Sequence, residues 1–76
     1  MTEITLTLRG DHITLDALLK ALGWAGSGGA AKQLITAGEV RVDGAVETRR
    51  GAKLRAGQRV VMAGQAVRLL PAEPAT

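Results

Sequence analysis

Ser27-Gly28-Gly29-Ala30-Ala31-Lys32-Gln33-Leu34-Ile35-Thr36-Ala37-Gly38 runs directly into Glu39-Val40-Arg41-Val42-Asp43-Gly44-Ala45-Val46-Glu47, and the fold is read from this stretch. A hydroxyl residue ahead of apolar positions at helical spacing marks a helix start, and glycine after them marks its end. The spacing predicts a helix over 28–37 that buries Ala31, Leu34 and Ile35 and turns Lys32, Gln33 and Thr36 outward. Beyond Gly38, Val40-Arg41-Val42 and Ala45-Val46-Glu47 flank Asp43-Gly44. That dipeptide is a strong hairpin signal, because a tight two-residue turn needs positive φ at both central positions.

On the N-terminal side, Ile4, Leu6 and Leu8 alternate with Thr5, Thr7 and Arg9, the pattern of a half-buried strand that Gly10-Asp11 ends. Thr14 is expected to cap a first helix whose apolar stripe is Leu15, Leu18, Leu19 and Leu22, with Gly23 ending it. Asp16 suits the positive end of that helix and is placed to pair with Lys20 four residues on. Trp24 falls at the corner between the helices, where a large apolar plug is needed. On the C-terminal side a basic loop, Thr48-Arg49-Arg50-Gly51-Ala52-Lys53, precedes Val60-Val61-Met62 and Val67-Arg68-Leu69-Leu70, with Ala63-Gly64 as the turn between these two strands. The order strand, helix, helix, strands, without internal repeat, predicts one α+β domain over residues 1–70. Residues 71–76 have the composition of a frayed tail.

Composition removes several function classes. The chain of 76 residues has no cysteine, so thiolate metal sites, disulfides and a cysteine nucleophile are excluded. A single histidine, His12, with no recognisable motif around it, does not make a metal or acid–base site. Ser27 lacks a nucleophile-elbow context, and the glycines are not followed by the Gly-Lys-Ser/Thr of a phosphate loop. No catalytic residue, metal or cofactor is therefore expected. No apolar run approaches a membrane span, and Met1-Thr2-Glu3 does not open a charged-then-apolar leader, so a soluble cytoplasmic protein is expected.

Charge points to an anionic partner. The formal charge is +3, and between Lys20 and Arg59 eight basic residues face three acids. Three features carry this charge towards a phosphate backbone. Ser27-Gly28-Gly29 opens a helix, where free amides and the dipole favour a phosphate and the missing Cβ atoms permit close approach; Lys32 follows one turn on. Arg41 stands beside the Asp43-Gly44 turn. Arg49, Arg50, Lys53 and Arg55 form a run with no acid between Thr48 and Arg59, and such residues bind nucleic acid by releasing counterions. Each also has an ordinary reading, as a helix cap, an exposed hairpin and a solvated loop. With Trp24 the only aromatic residue, a base-stacking platform is not expected.

Taken together, Leu15-Asp16 with Leu18-Leu19, Ala31-Lys32-Gln33-Leu34-Ile35 with Gly38, Val40-Arg41-Val42-Asp43-Gly44, and Lys53-Leu54 before Ala56-Gly57-Gln58 resemble the S4-type RNA-binding domain. Ser27-Gly28-Gly29, Glu47-Thr48-Arg49-Arg50 and a strand after Gly64 are similar to the short stand-alone bacterial members of the YbcJ type. The resemblance implies an αL-type fold, two helices packed on a small, mainly antiparallel sheet. It also implies a site at Ser27, Gly28, Gly29, Lys32, Gln33, Arg41, Asp43 and Gly44, extended by Arg49, Arg50 and Lys53. Two positions depart from the family pattern: Gly28 stands where many members carry Arg, and Asp43 where Asn is commoner.

The expectation is a monomeric, non-enzymatic module that reads structured RNA, ribosomal or tRNA-like, by backbone and shape. Duplex DNA is disfavoured, because nothing is spaced as a helix-turn-helix reader. The other classes are a small carrier, opposed by Pro74-Ala75-Thr76 where a sulfur carrier needs Gly-Gly, and an accessory subunit of an RNA-modifying enzyme.

Overall fold

A computed structural model describes residues 2–72, and among these two helices and seven strands form in the order ββααβββββ. Strand β1 (Thr2–Thr7) and a short β2 (Ile13–Thr14) precede α1 (Leu15–Ala21) and α2 (Gly28–Thr36). The strands β3 (Val40–Val42), β4 (Ala45–Val46), β5 (Lys53–Leu54), β6 (Arg59–Met62) and β7 (Gln65–Leu70) follow. Five of them make one sheet in the order β1-β7-β6-β3-β4, and β2 pairs with β5 in a separate ladder.

Turn chemistry builds the antiparallel part. Asp43 and Gly44 both take positive φ (51° and 87°), and Val42 pairs with Ala45 across them. Ala63 and Gly64 do the same (51° and 78°) between Met62 and Gln65, and this fixes Arg59 opposite Arg68. The sheet is closed by β1, which lies parallel to β7 with Ile4 beside Val67. Parallel pairing needs a long connection, here everything between the first strand and the last. Leu8, expected in β1, lies just beyond it; its amide still donates to the Leu70 carbonyl and its side chain is buried.

Both helices lie over one face of this sheet. Leu15, Leu18 and Leu19 of α1 and Ala31 and Ile35 of α2 share one core with Val40, Val60, Met62, Val67 and Leu69. Leu34 and Trp24 pack against this core partly exposed, as a plug at the interhelical corner should. Each helix ends alike: the Gly23 amide donates to Lys20 and that of Trp24 to Leu19, while the Gly38 amide donates to Ile35 and that of Glu39 to Leu34. This motif places the residue after the C-cap in the left-handed region, where glycine has no penalty.

Three local expectations are corrected. Thr14 occupies the N-cap of α1 but its side chain makes no capping bond. The Leu15 and Asp16 amides instead donate to the Ala52 and Arg50 carbonyls, both at 3.0 Å, so a distant loop caps this helix. Asp16 forms no ion pair with Lys20; its carboxylate accepts the Ala17 amide at 2.8 Å and is held below its usual range mainly by the Thr14 hydroxyl. Lys53 belongs to β5, opposite Thr14, and not to the basic loop. Pro71 and Ala72 carry no regular structure; the rest of the expected tail, 73–76, lies outside the described residues.

Candidate nucleic-acid interface

The expected site residues fall in three places. At the start of α2, the Ser27 hydroxyl accepts the Ala30 amide at 3.1 Å, a side-chain cap. The Gly28 and Gly29 amides precede the first intrahelical donor and stay unengaged by other described residues. A Cβ on Gly28 would meet nothing within 4 Å, and one on Gly29 only the Ser27 hydroxyl at 3.9 Å. The protein's own packing therefore does not demand glycine here, and the helix start is a bare, exposed cradle of N–H groups. Lys32 and Gln33 are exposed beyond it, and neither side chain has a partner among the described residues.

The hairpin is the second place. Asp43 is committed to the protein itself: its carboxylate accepts the Arg59 amide at 3.0 Å and the Gln58 side-chain amide at 3.2 Å. Arg41 is exposed, with no hydrogen bond or ion pair among the described residues. It points to the face of the sheet that the helices leave bare, into a cleft with Asp43, Gly44, Arg59, Val61 and Arg68. The structure thus gathers Arg41 with Arg59 and Arg68.

The basic loop is the third place, packed at the start of α1. Arg49 is held on Glu47, at 3.1 and 3.3 Å to its two oxygens, and this contact keeps the Glu47 carboxyl below its usual range. Arg50 and Lys53 are exposed and make no ion pair among the described residues, although the Arg50 charge helps to lower the Asp16 carboxyl. Arg55 reaches Asp11 at 3.5 Å, and Asp11 also binds the His12 ring at 2.7 Å, an acid partner that the sequence reading did not assign to His12. Among the described residues no group of three His, Cys, Asp or Glu could hold a metal.

A family model of the S4 domain matches residues 6–70. The chain belongs to the S4 domain family. This S4 domain is 51% identical over 59 residues to the "Putative RNA-binding protein YbcJ" of Escherichia coli (strain K12), covering 78% of this chain and 84% of that protein. The same values hold for the "Uncharacterized protein YbcJ" of Shigella flexneri. The fold of this S4 domain is similar to the solution structure of YbcJ from E. coli, with a TM-score of 0.64, 46% identity, and coverage of 92% of this chain and 87% of that one. That structure is described as revealing an αL motif involved in RNA binding. The α+β class, with two helices on a mainly antiparallel sheet, is accordingly the αL fold expected from the resemblance.

Two residues of this S4 domain that the sequence reading did not place in a site are Arg59 and Arg68. The signal was present: a two-residue turn at Ala63-Gly64 sets position 59 against position 68, both on the face opposite Val60 and Val67. Placing Arg41 beside them needed the β3–β6 pairing, which no local motif announces.

Proposed function

We propose that this S4 domain is a non-enzymatic module that binds structured RNA through its phosphate backbone and shape. The amides of Gly28 and Gly29 take one phosphate at the positive end of α2, with Lys32 and Gln33 beside it. Arg41, presented by the turn that Asp43 and Gly44 hold, and Arg50 and Lys53 at the start of α1 neutralise others, while Arg49 exchanges Glu47 for phosphate at greater cost. The observation that carries the reading is the condition of Lys32, Arg41, Arg50 and Lys53. All four are exposed and none is ion-paired among the described residues, so each reaches a phosphate without first breaking a bond there to a carboxylate. The E. coli relative named for RNA binding supports it, and the scarcity of aromatic residues favours folded RNA over splayed single strands. Ribosomal RNA, or RNA in a ribosome-associated state, is the ligand we infer, met by a monomer in the cytoplasm.

The test is binding to a structured ribosomal RNA fragment across a salt series, with a single strand and a DNA duplex as controls. Four phosphate contacts predict a log–log salt slope of about −3. Equal affinity for all three nucleic acids, or none at low salt, overturns the proposal.

A further inference from the structure

The helix-free face of the sheet breaks a rule of strand pairing. Arg59 and Arg68 stand directly opposite each other across the β6–β7 ladder, where like charges destabilise. Arg41 faces the same cleft from β3. Among the described residues two carboxylates lie nearby: Glu3 is paired with Arg59, whereas Asp43 lines the cleft and keeps its charge, because both of its donors are neutral. Glu3 of β1 accepts the Arg59 guanidinium at 2.7 Å, and Asp43 accepts the Arg59 amide and the Gln58 side chain. The Arg68 guanidinium donates to the Gly57 carbonyl at 2.8 Å, a neutral acceptor that orients the group without cancelling its charge. Arg41 and Arg68 thus form no ion pair among the described residues, and with Arg59 they set three guanidiniums against the two carboxylates of Glu3 and Asp43 around one concavity, with the bare Gly44 turn at its rim. Local conflicts of this kind concentrate where a ligand resolves them.

We propose that this cleft is a second phosphate-binding site, in which Arg41 and Arg68 take a phosphodiester of an RNA strand crossing the outer face of the sheet. Glu3, paired with Arg59 at 2.7 Å, lowers the positive potential of the cleft. The inference rests on the RNA-binding reading above and adds a face to it: RNA contacts the sheet surface as well as the helical side. The open face, and the reach of this cleft to the Gly44 turn at its rim, favour a continuous backbone over a small free anion. Guanidinium suits this role because its planar donors match two phosphate oxygens at once.

The experiment measures affinity and salt slope of the full chain for the structured RNA fragment, comparing Arg68→Gln, Arg68→Lys, Glu3→Gln and Lys32→Gln with wild type. Arg68→Gln is expected to weaken binding about tenfold at low salt and to flatten the slope by roughly one. Arg68→Lys, which keeps the charge, should restore the slope. Glu3→Gln should tighten binding severalfold by removing a negative charge beside the cleft, an effect that loss of a merely structural contact would not produce. Wild-type affinity and slope in both Arg68→Gln and Glu3→Gln, with Lys32→Gln still weakened, overturn the cleft and leave the helical surface standing. Absence of selective RNA binding in the wild type overturns both.

Discussion

Asp43 and Arg59 hold each other twice: the Asp43 amide donates to the Arg59 carbonyl at 2.8 Å, and the Arg59 amide donates to the Asp43 carboxylate at 3.0 Å. The ring fastens the tip of the β3–β4 hairpin to the first residue of β6, so the exposed turn that carries Gly44 is tied to the sheet at a second point. A residue that reads as a turn former in the sequence is also the clasp between two strands.

Replacing Asp43 by Ala removes the carboxylate half of the clasp and leaves a residue poorly suited to positive φ, so a loss of about 1–2 kcal/mol is expected in chemical denaturation. Asp43→Asn keeps the turn and one acceptor oxygen. It should cost under about 1 kcal/mol and raise RNA affinity by removing a negative charge beside the bound backbone.

Gly44 sits at φ 87° with open space around it. Gly44→Val therefore fails by conformation and not by collision, and thermal melting should show a loss of about 1–3 kcal/mol. Wild-type stability in this variant would contradict the turn.

Gly28 and Gly29 separate folding from binding. A Cβ at either position finds room, so Gly28→Ala and Gly29→Ala should leave stability unchanged or raise it by up to about 1 kcal/mol. Each should weaken RNA binding in gel-shift titrations, because the added carbon stands where a phosphate approaches the amides. Ser27→Ala should instead cost about 1 kcal/mol of stability through the lost cap.

Lys32→Ala combined with Arg41→Ala should flatten the salt slope by about 1.5 and lower affinity at low salt, with little change in melting temperature. Neither side chain has a partner to lose among the described residues. Unchanged affinity in the folded double variant would place the RNA surface elsewhere.

Acid should destabilise the domain gradually. The carboxyls of Asp16, Glu47 and Asp11 are held below their ordinary values, by the Thr14 hydroxyl, the Arg49 side chain and the His12 ring respectively. A group depressed in the folded state contributes stability that is fully present above its unfolded pKa and lost as pH falls through the folded one. From the ordinary values of 3.8 and 4.5, melting temperature should be level above about pH 5 and decline below it. Solvent screening of these exposed groups keeps the decline shallow. Glu47→Gln should remove part of it.

The readable parts of this protein are those whose causes lie within a few residues. Ser27 caps α2 and Gly38 ends it because their partners are three to five positions away, and Asp43-Gly44 turns because two adjacent residues accept positive φ. The charge excess between Lys20 and Arg59, and with it an anionic partner, is likewise a property of composition. The short β2–β5 ladder escaped notice because two-residue strands have no periodicity to detect.

What remained for the folded chain to settle involves groups far apart in sequence. No local signal makes β1 pair in parallel with β7, or lets Ala52 and Arg50 carbonyls satisfy the amides that Thr14 was expected to cap. Which cations stay unpaired was decided the same way: Arg59 meets Glu3 across 56 positions, while Arg41 and Arg68 meet no carboxylate at all among the described residues. Helix caps and tight turns are local equilibria of the backbone. The pairing of charges on a surface depends on which strands the core brings side by side, and that follows from burying Val40, Val60, Val67 and Leu69 together under the helices.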